Sequence, residues 1–174
     1  MQTRSTTWYA VGFAAFLAGC SAGPEPEQPV TVAYAPPVAI VPEPQPDPAA
    51  ELDCLAKTIY FEARGESQKG QRAVAAVVLN RVKSSRFPDT ICEVVHQGGT
   101  ASRDCQFSWW CDGRSDKPRD RKAWERSVAI ARDMINGAPD PTNGALYFHE
   151  THVSPSWRTQ LRRVATIGAH IYYR

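Results

Sequence analysis

No stretch of this chain is long and apolar enough to span a bilayer comfortably. The longest candidate, Trp8 to Ala18, is eleven apolar or small residues, against the ~20 that a transmembrane helix needs. No internal repeat is visible, and no pair of cysteines stands in a C-x-x-C arrangement. Between Pro24 and Pro48 there is no basic residue at all. These absences, with 22% charged and 43% hydrophobic residues in a chain of 174, exclude a collagenous, polytopic membrane or wholly disordered protein and leave room for one modest domain with a core.

What is present is unevenly distributed. Nine of the fourteen prolines fall between Pro24 and Pro48, beside Glu25, Glu27, Glu43 and Asp47. Residues 51–174 therefore hold 19 basic against 14 acidic residues, about +5, where the whole chain is +2. That mild excess suits an anionic polymer without choosing between nucleic acid and cell wall.

The N-terminus reads as an address. Arg4 precedes the apolar run, which has the length of a secretion-signal core, and Leu17-Ala18-Gly19-Cys20 follows. That ending resembles the bacterial lipoprotein signal, which implies cleavage before Cys20 and lipidation of it. The expected organisation is a signal peptide over 1–19, a lipidated Cys and proline-rich tether over 20–50, and a folded domain over 51–174. Several acyl chains on Cys20 would hold the protein stably on a membrane. Ser21 fits outer-membrane sorting better than inner, with the domain facing the periplasm. A tether of this composition is extended, reaching roughly 80–90 Å at ~3.1 Å per residue. Setting Cys20 aside leaves Cys54, Cys92, Cys105 and Cys111. An even set in an exported domain reads as two disulfides rather than a zinc site, with three connectivities open.

Local patterns predict a domain that is α+β and mainly α. Leu52, Leu55, Ala56 and Ile59 form a helical stripe, with Gly65 as its stop. A second helix runs from Gln68 to Lys83 after Ser67 as N-cap, with Val74, Val77, Val78 and Val82 inward. Thr90 to Glu93 looks like a capping box opening a short helix through His96. Trp124, Val128, Ala131 and Ile135 mark a longer helix stopped at Asn136-Gly137. Ala145–His149 and Val164–Tyr173 favour short antiparallel strands.

One residue conflicts with this pattern. Glu62 lies seven residues after Leu55, only about 20° away around the helix, so a carboxylate is aimed along the face that should bury. Partial burial favours the neutral form and makes Glu62 a candidate general acid; a frayed, solvated helix end is the alternative. Asn80 and Arg81 either line a site or cap and solvate their helix.

Cys54-Leu-Ala-Lys-Thr-Ile-Tyr-Phe-Glu-Ala-Arg-Gly-Glu66 and Gln71-Arg-Ala-Val-Ala-Ala-Val-Val-Leu-Asn-Arg-Val82 resemble the SleB/CwlJ-type cell wall hydrolases. The likeness continues through Arg86-Phe-Pro, Cys92-Glu-Val-Val, Cys105-Gln-Phe-Ser-Trp, Cys111-Asp-Gly, Gly144-Ala with His149, and Trp157. It implies a lysozyme-like fold, action on the glycan strands of peptidoglycan, and Glu62 as the catalytic glutamate. The lipoprotein signal, the tether and the four cysteines depart from the spore-germination members, which favours general envelope peptidoglycan over spore cortex.

The reaction expected is cleavage between N-acetylmuramic acid and N-acetylglucosamine. Glu66, and less strongly Asp112, are candidates for the second carboxylate of a hydrolase. Without one, the muramoyl 6-hydroxyl attacks instead, which is lytic transglycosylation, the reaction that the resemblance favours. Tyr60, Glu66, Gln106, Ser108 and Trp157 are the expected substrate contacts, whereas Trp109, Trp110 and Trp124 read as packing. A zinc amidase using His149 and His152 is disfavoured, because i,i+3 on a strand points to opposite faces. A Cys/His peptidase would need a free thiol. A non-catalytic peptidoglycan-binding lipoprotein is the remaining rival. The expected partners are peptidoglycan and a membrane, reached by a monomer without metal, cofactor or nucleic acid.

Overall fold

A computed structural model describes Gly23, residues 45–99 and residues 105–174. The proposed signal peptide, Cys20 and most of the tether lie outside the described residues, as does part of the loop after Gly99. The chain divides into two units between Pro42 and Glu43, and everything below concerns the second, Glu43–Arg174.

Among the described residues, five α-helices and three strands follow in order. Helix α1 spans Pro48–Ala63. It opens at Pro48 because the Asp47 carboxylate accepts the Ala49 N–H at 3.0 Å and proline suits the first helical turn. It ends before Gly65, which does not take the left-handed conformation: Arg64 caps the helix in right-handed geometry, and the Glu66 N–H donates to the Ala63 carbonyl at 2.9 Å. Helix α2 spans Gln68–Val82, with the Ser67 hydroxyl accepting the Gly70 N–H as expected of an N-cap. Helix α3 is short, Ile91–Val95, with Thr90 capping the Glu93 N–H. Its first N–H groups, those of Ile91 and Cys92, also donate to the Glu51 carboxylate at 2.6 and 3.1 Å. Helix α4 is one turn, Ser108–Cys111, and α5 spans Arg121–Ile135.

The buried face of α5 is Ala123, Ser127, Ile130, Ala131 and Met134. The stripe expected from Trp124 to Ile135 is therefore turned by about one position. Trp124 and Val128 flank the core, and Ile135 is 43% exposed.

Strands β1 (Tyr147–Glu150), β2 (Arg163–Ile167) and β3 (His170–Tyr173) form one antiparallel sheet in the order β1-β3-β2. A single 3-10 turn, Ser156–Thr159, precedes β2. The core lies on two sides of α2. Val78, Ala75 and Ala76 pack with Leu55, Ile59, Val94, Phe107, Ile130 and Ala131, whereas Ala73 and Val77 meet Ala145, Ile167 and Tyr172 of the sheet side. Burial on both sides explains why α2 carries only alanine and valine from Ala73 to Val78 and why the sheet, too small to be stable alone, is held in place. The disulfides pair Cys54 with Cys92 and Cys105 with Cys111. The first ties α1 to α3; the second closes the short loop that carries Gln106 and Ser108.

Candidate active site

The last turn of α1, the loop at Cys105–Ser108 and strands β1 and β3 enclose a cleft of about 390 Å³ lined by Glu62, Gln106, Ser108, His149, Glu150 and His170, among others. Its size falls within the ~300–1,000 Å³ of small-molecule sites. Glu62 is half-buried. Burial, with the Glu150 carboxylate as a smaller contribution, pushes its pKa from the usual 4.5 up to about 7. Near neutral pH a large fraction of the protein thus holds Glu62 as a protonated acid facing an open cleft, the state that a general acid requires.

Glu150 is the carboxylate that sequence reasoning missed. It stands exposed at the end of β1, 3.0 Å from His152 Nε2. Nothing local marks it. It lines the cleft with Glu62 only because the C-terminal sheet packs on α2 and so comes to lie beside the end of α1.

The other expected contacts divide. Gln106 and Ser108 are exposed and line the cleft with Glu62. Trp157 lies in an adjoining hollow that shares Gln106 and Phe148 with the cleft, its ring centroid 5.9 Å from that of Tyr147 and 5.6 Å from that of His149.

Tyr60 and Glu66 are not brought to this cleft. Tyr60 is 1% exposed, and its hydroxyl accepts the backbone N–H groups of Arg119 and Asp120, both at 3.0 Å. It fastens the start of α5 and borders a different hollow, together with Asp112. Asp112, the weaker second-carboxylate candidate, accepts the Arg114 N–H there at 2.8 Å. Glu66 is committed to the β2–β3 turn, where its carboxylate accepts the Ala169 N–H at 3.2 and 3.4 Å. Gly168 makes room for it: a Cβ built there would lie 1.7 Å from Glu66 Oε2, at a φ of +58°. Glu66 thus shapes the site indirectly, by fixing the turn that leads into His170.

His170 is 3% exposed, with Nδ1 at 4.0 Å from Glu66 Oε1. Burial lowers its pKa and outweighs the pull of Glu66 and Glu150, so the imidazole is neutral near pH 7. His149 Nδ1 lies 2.8 Å from the Glu150 carbonyl oxygen and Nε2 lies 3.0 Å from the Tyr173 hydroxyl. A carbonyl only accepts, so Nδ1 carries the proton and both nitrogens are engaged. His152 stands apart, exposed beside Glu150. Among the described residues no three of His, Cys, Asp and Glu gather as metal ligands. Asn80 serves structure: its amide donates to Asp140 Oδ2 at 2.9 Å and to the Ala145 carbonyl at 3.1 Å.

The profile of the family described as Cell Wall Hydrolase matches residues 65–173. This chain belongs to that family. The spore cortex-lytic enzyme of Oceanobacillus iheyensis is 37% identical over 125 residues, 70% of this chain and 41% of that enzyme. Its namesake from Bacillus subtilis is 35% identical over 124 residues, 70% of this chain and 37% of the relative. The chain thus spans less than half the length of these curated relatives. Among solved structures, the catalytic domain of the germination-specific lytic transglycosylase SleB from Bacillus anthracis superposes with a TM-score of 0.61 at 32% identity, covering 76% of this chain and 100% of that domain. The mainly helical fold with its small antiparallel sheet is the fold of that domain. The family profile begins at Gly65, beyond Glu62.

Proposed function

We propose that this cell wall hydrolase cuts peptidoglycan glycan strands between N-acetylmuramic acid and N-acetylglucosamine by lytic transglycosylation, with Glu62 as acid and then base. The observation that carries the reading is the Glu62 carboxyl, half-buried in an open cleft with its pKa raised to about 7. Glu62 donates its proton to the glycosidic oxygen as the bond from C1 of the muramoyl ring breaks. The ring gains oxocarbenium character, and its own 6-hydroxyl attacks C1 while giving its proton to the Glu62 carboxylate. Glu62 ends protonated, no water is consumed, and the product carries an anhydro end. Gln106 and Ser108 at the cleft mouth have the hydrogen-bonding groups to hold N-acetyl and hydroxyl substituents.

A second reading keeps the same acid and uses water. Glu150, on the same cleft, would serve as its base. Against it, the Glu150 side chain is exposed and paired with His152, whereas Glu66, the carboxylate nearest in sequence, is occupied at the β2–β3 turn. Digestion of purified sacculi in heavy-oxygen water separates the readings. Anhydro ends without label support transglycosylation, labelled reducing ends support hydrolysis, and retained binding without soluble product would leave a wall-binding protein. We infer further, from the sequence, that lipidated Cys20 and the proline-rich segment tether the domain in the periplasm of a bacterial envelope.

A further inference from the structure

Arg81, near the end of α2, is the largest fully buried side chain among the described residues, at 1% exposure. Its Nε donates to the Leu146 carbonyl at 2.8 Å, but Nη1 meets no hydrogen-bond partner among the described residues. The guanidinium carbon lies 5.1 Å from the ring centroid of Phe87 and 5.7 Å from those of Phe107 and Tyr147. No carboxylate among the described residues forms an ion pair with it. Aromatic faces offset part of the cost of burying a cation, but an orphaned donor on a buried charge calls for an occupant. Burial lowers the Arg81 pKa only to about 10, so the charge is kept at neutral pH.

This arginine lines the hollow of about 380 Å³ that also holds Tyr147, Trp157 and Gln160 and meets the Glu62 cleft at Gln106 and Phe148. From this arrangement we propose that the hollow is a carboxylate subsite of the glycan groove, in which the Arg81 guanidinium receives an acidic substituent of the strand while Trp157 and Tyr147 flank it. The proposal rests on the glycan-strand reading above and adds what that reading lacks, a basis for preferring an acidic strand over a neutral polysaccharide. Planar guanidinium and carboxylate match in fork geometry, and a peptidoglycan strand carries such groups on its muramoyl units, as a free lactyl carboxylate or on the attached peptide.

The test is equilibrium binding by the full chain carrying Glu62→Gln, so that strands stay uncut. Three soluble glycan preparations are compared: peptide stems intact, stems removed to leave the lactyl carboxylate, and the lactyl group amidated to remove the charge. The proposal expects at least one charged strand to bind roughly tenfold or more tightly than the neutral one, the scale of a charge-assisted hydrogen bond. Which charged strand it is assigns the carboxylate to stem or lactyl group. Arg81→Gln should abolish the preference. Because that change also disturbs a buried site, a second variant is used: Gln160→Glu, at an exposed position in the same hollow, supplies a competing carboxylate and should also collapse the preference. Equal affinity for all three strands overturns the subsite while leaving the glycan reading intact, as does a preference that survives both substitutions. No binding to any strand overturns both.

Discussion

Replacing Glu62 by Gln should stabilise the protein at alkaline pH and change it little in acid. The folded state raises the Glu62 pKa from 4.5 to about 7, chiefly by burial. Between those values the native state binds more proton than the unfolded chain, so stability falls as pH rises through that window and levels off above it. The rise from 4.5 to about 7, at ~1.36 kcal/mol per factor of ten in proton affinity, gives roughly 3 kcal/mol as the upper figure. Gln keeps nearly the same shape without a charge to desolvate. Urea denaturation with disulfides intact, at about pH 4 and about pH 9, measures the effect. The difference between variant and wild type should grow by up to about 3 kcal/mol in favour of Gln across that range. A difference that does not change with pH would mean that Glu62 is solvated in the folded state, and the argument for a resting general acid would fail with it.

Other consequences follow from the same geometry. Glu150→Gln should lower the alkaline pKa of the rate profile modestly, because the Glu150 charge contributes to the Glu62 shift; retained turnover supports transglycosylation, and a loss of 10²-fold or more would make Glu150 the base of a hydrolase. Tyr60→Phe should cost about 1–3 kcal/mol in denaturant melts, as two backbone donors lose their acceptor, with kcat unchanged; a fall in KM-linked affinity alone would return Tyr60 to the substrate site. Breaking Cys54–Cys92, separated by 38 residues, should cost about 4 kcal/mol by chain entropy, and Cys105–Cys111, separated by 6, only about 2. Paired serine variants compared by thermal melts check that order.

Local chemistry was readable in the chain and long-range placement was not. Ser67 and Thr90 each meet their own helix within one turn, so capping patterns located α2 and α3 closely. The partial burial of Glu62 was legible because a carboxylate on an apolar stripe contradicts helical periodicity, a signal contained in eight residues. Tyr60 shows the limit. Its ring chemistry suits a sugar, yet its hydroxyl is taken by backbone 59 and 60 residues away, which no local pattern announces. Glu66 is similar: its partner at Ala169 is 103 residues distant, and only the glycine at 168 hints that something must approach closely there. For Arg81 periodicity leaves two readings open, a site residue or a solvated helix end, because the aromatic residues that bury it come from three separate segments.

In the proposed mechanism strand cleavage depends on Glu62. The direct test digests purified sacculi with the full chain, wild type beside Glu62→Gln, and follows the release of soluble muropeptides over time. Removing a general acid should slow release by about 10²–10⁴-fold, with binding to sacculi retained. Release at the wild-type rate by the Gln variant would contradict the account and move the chemistry to another residue.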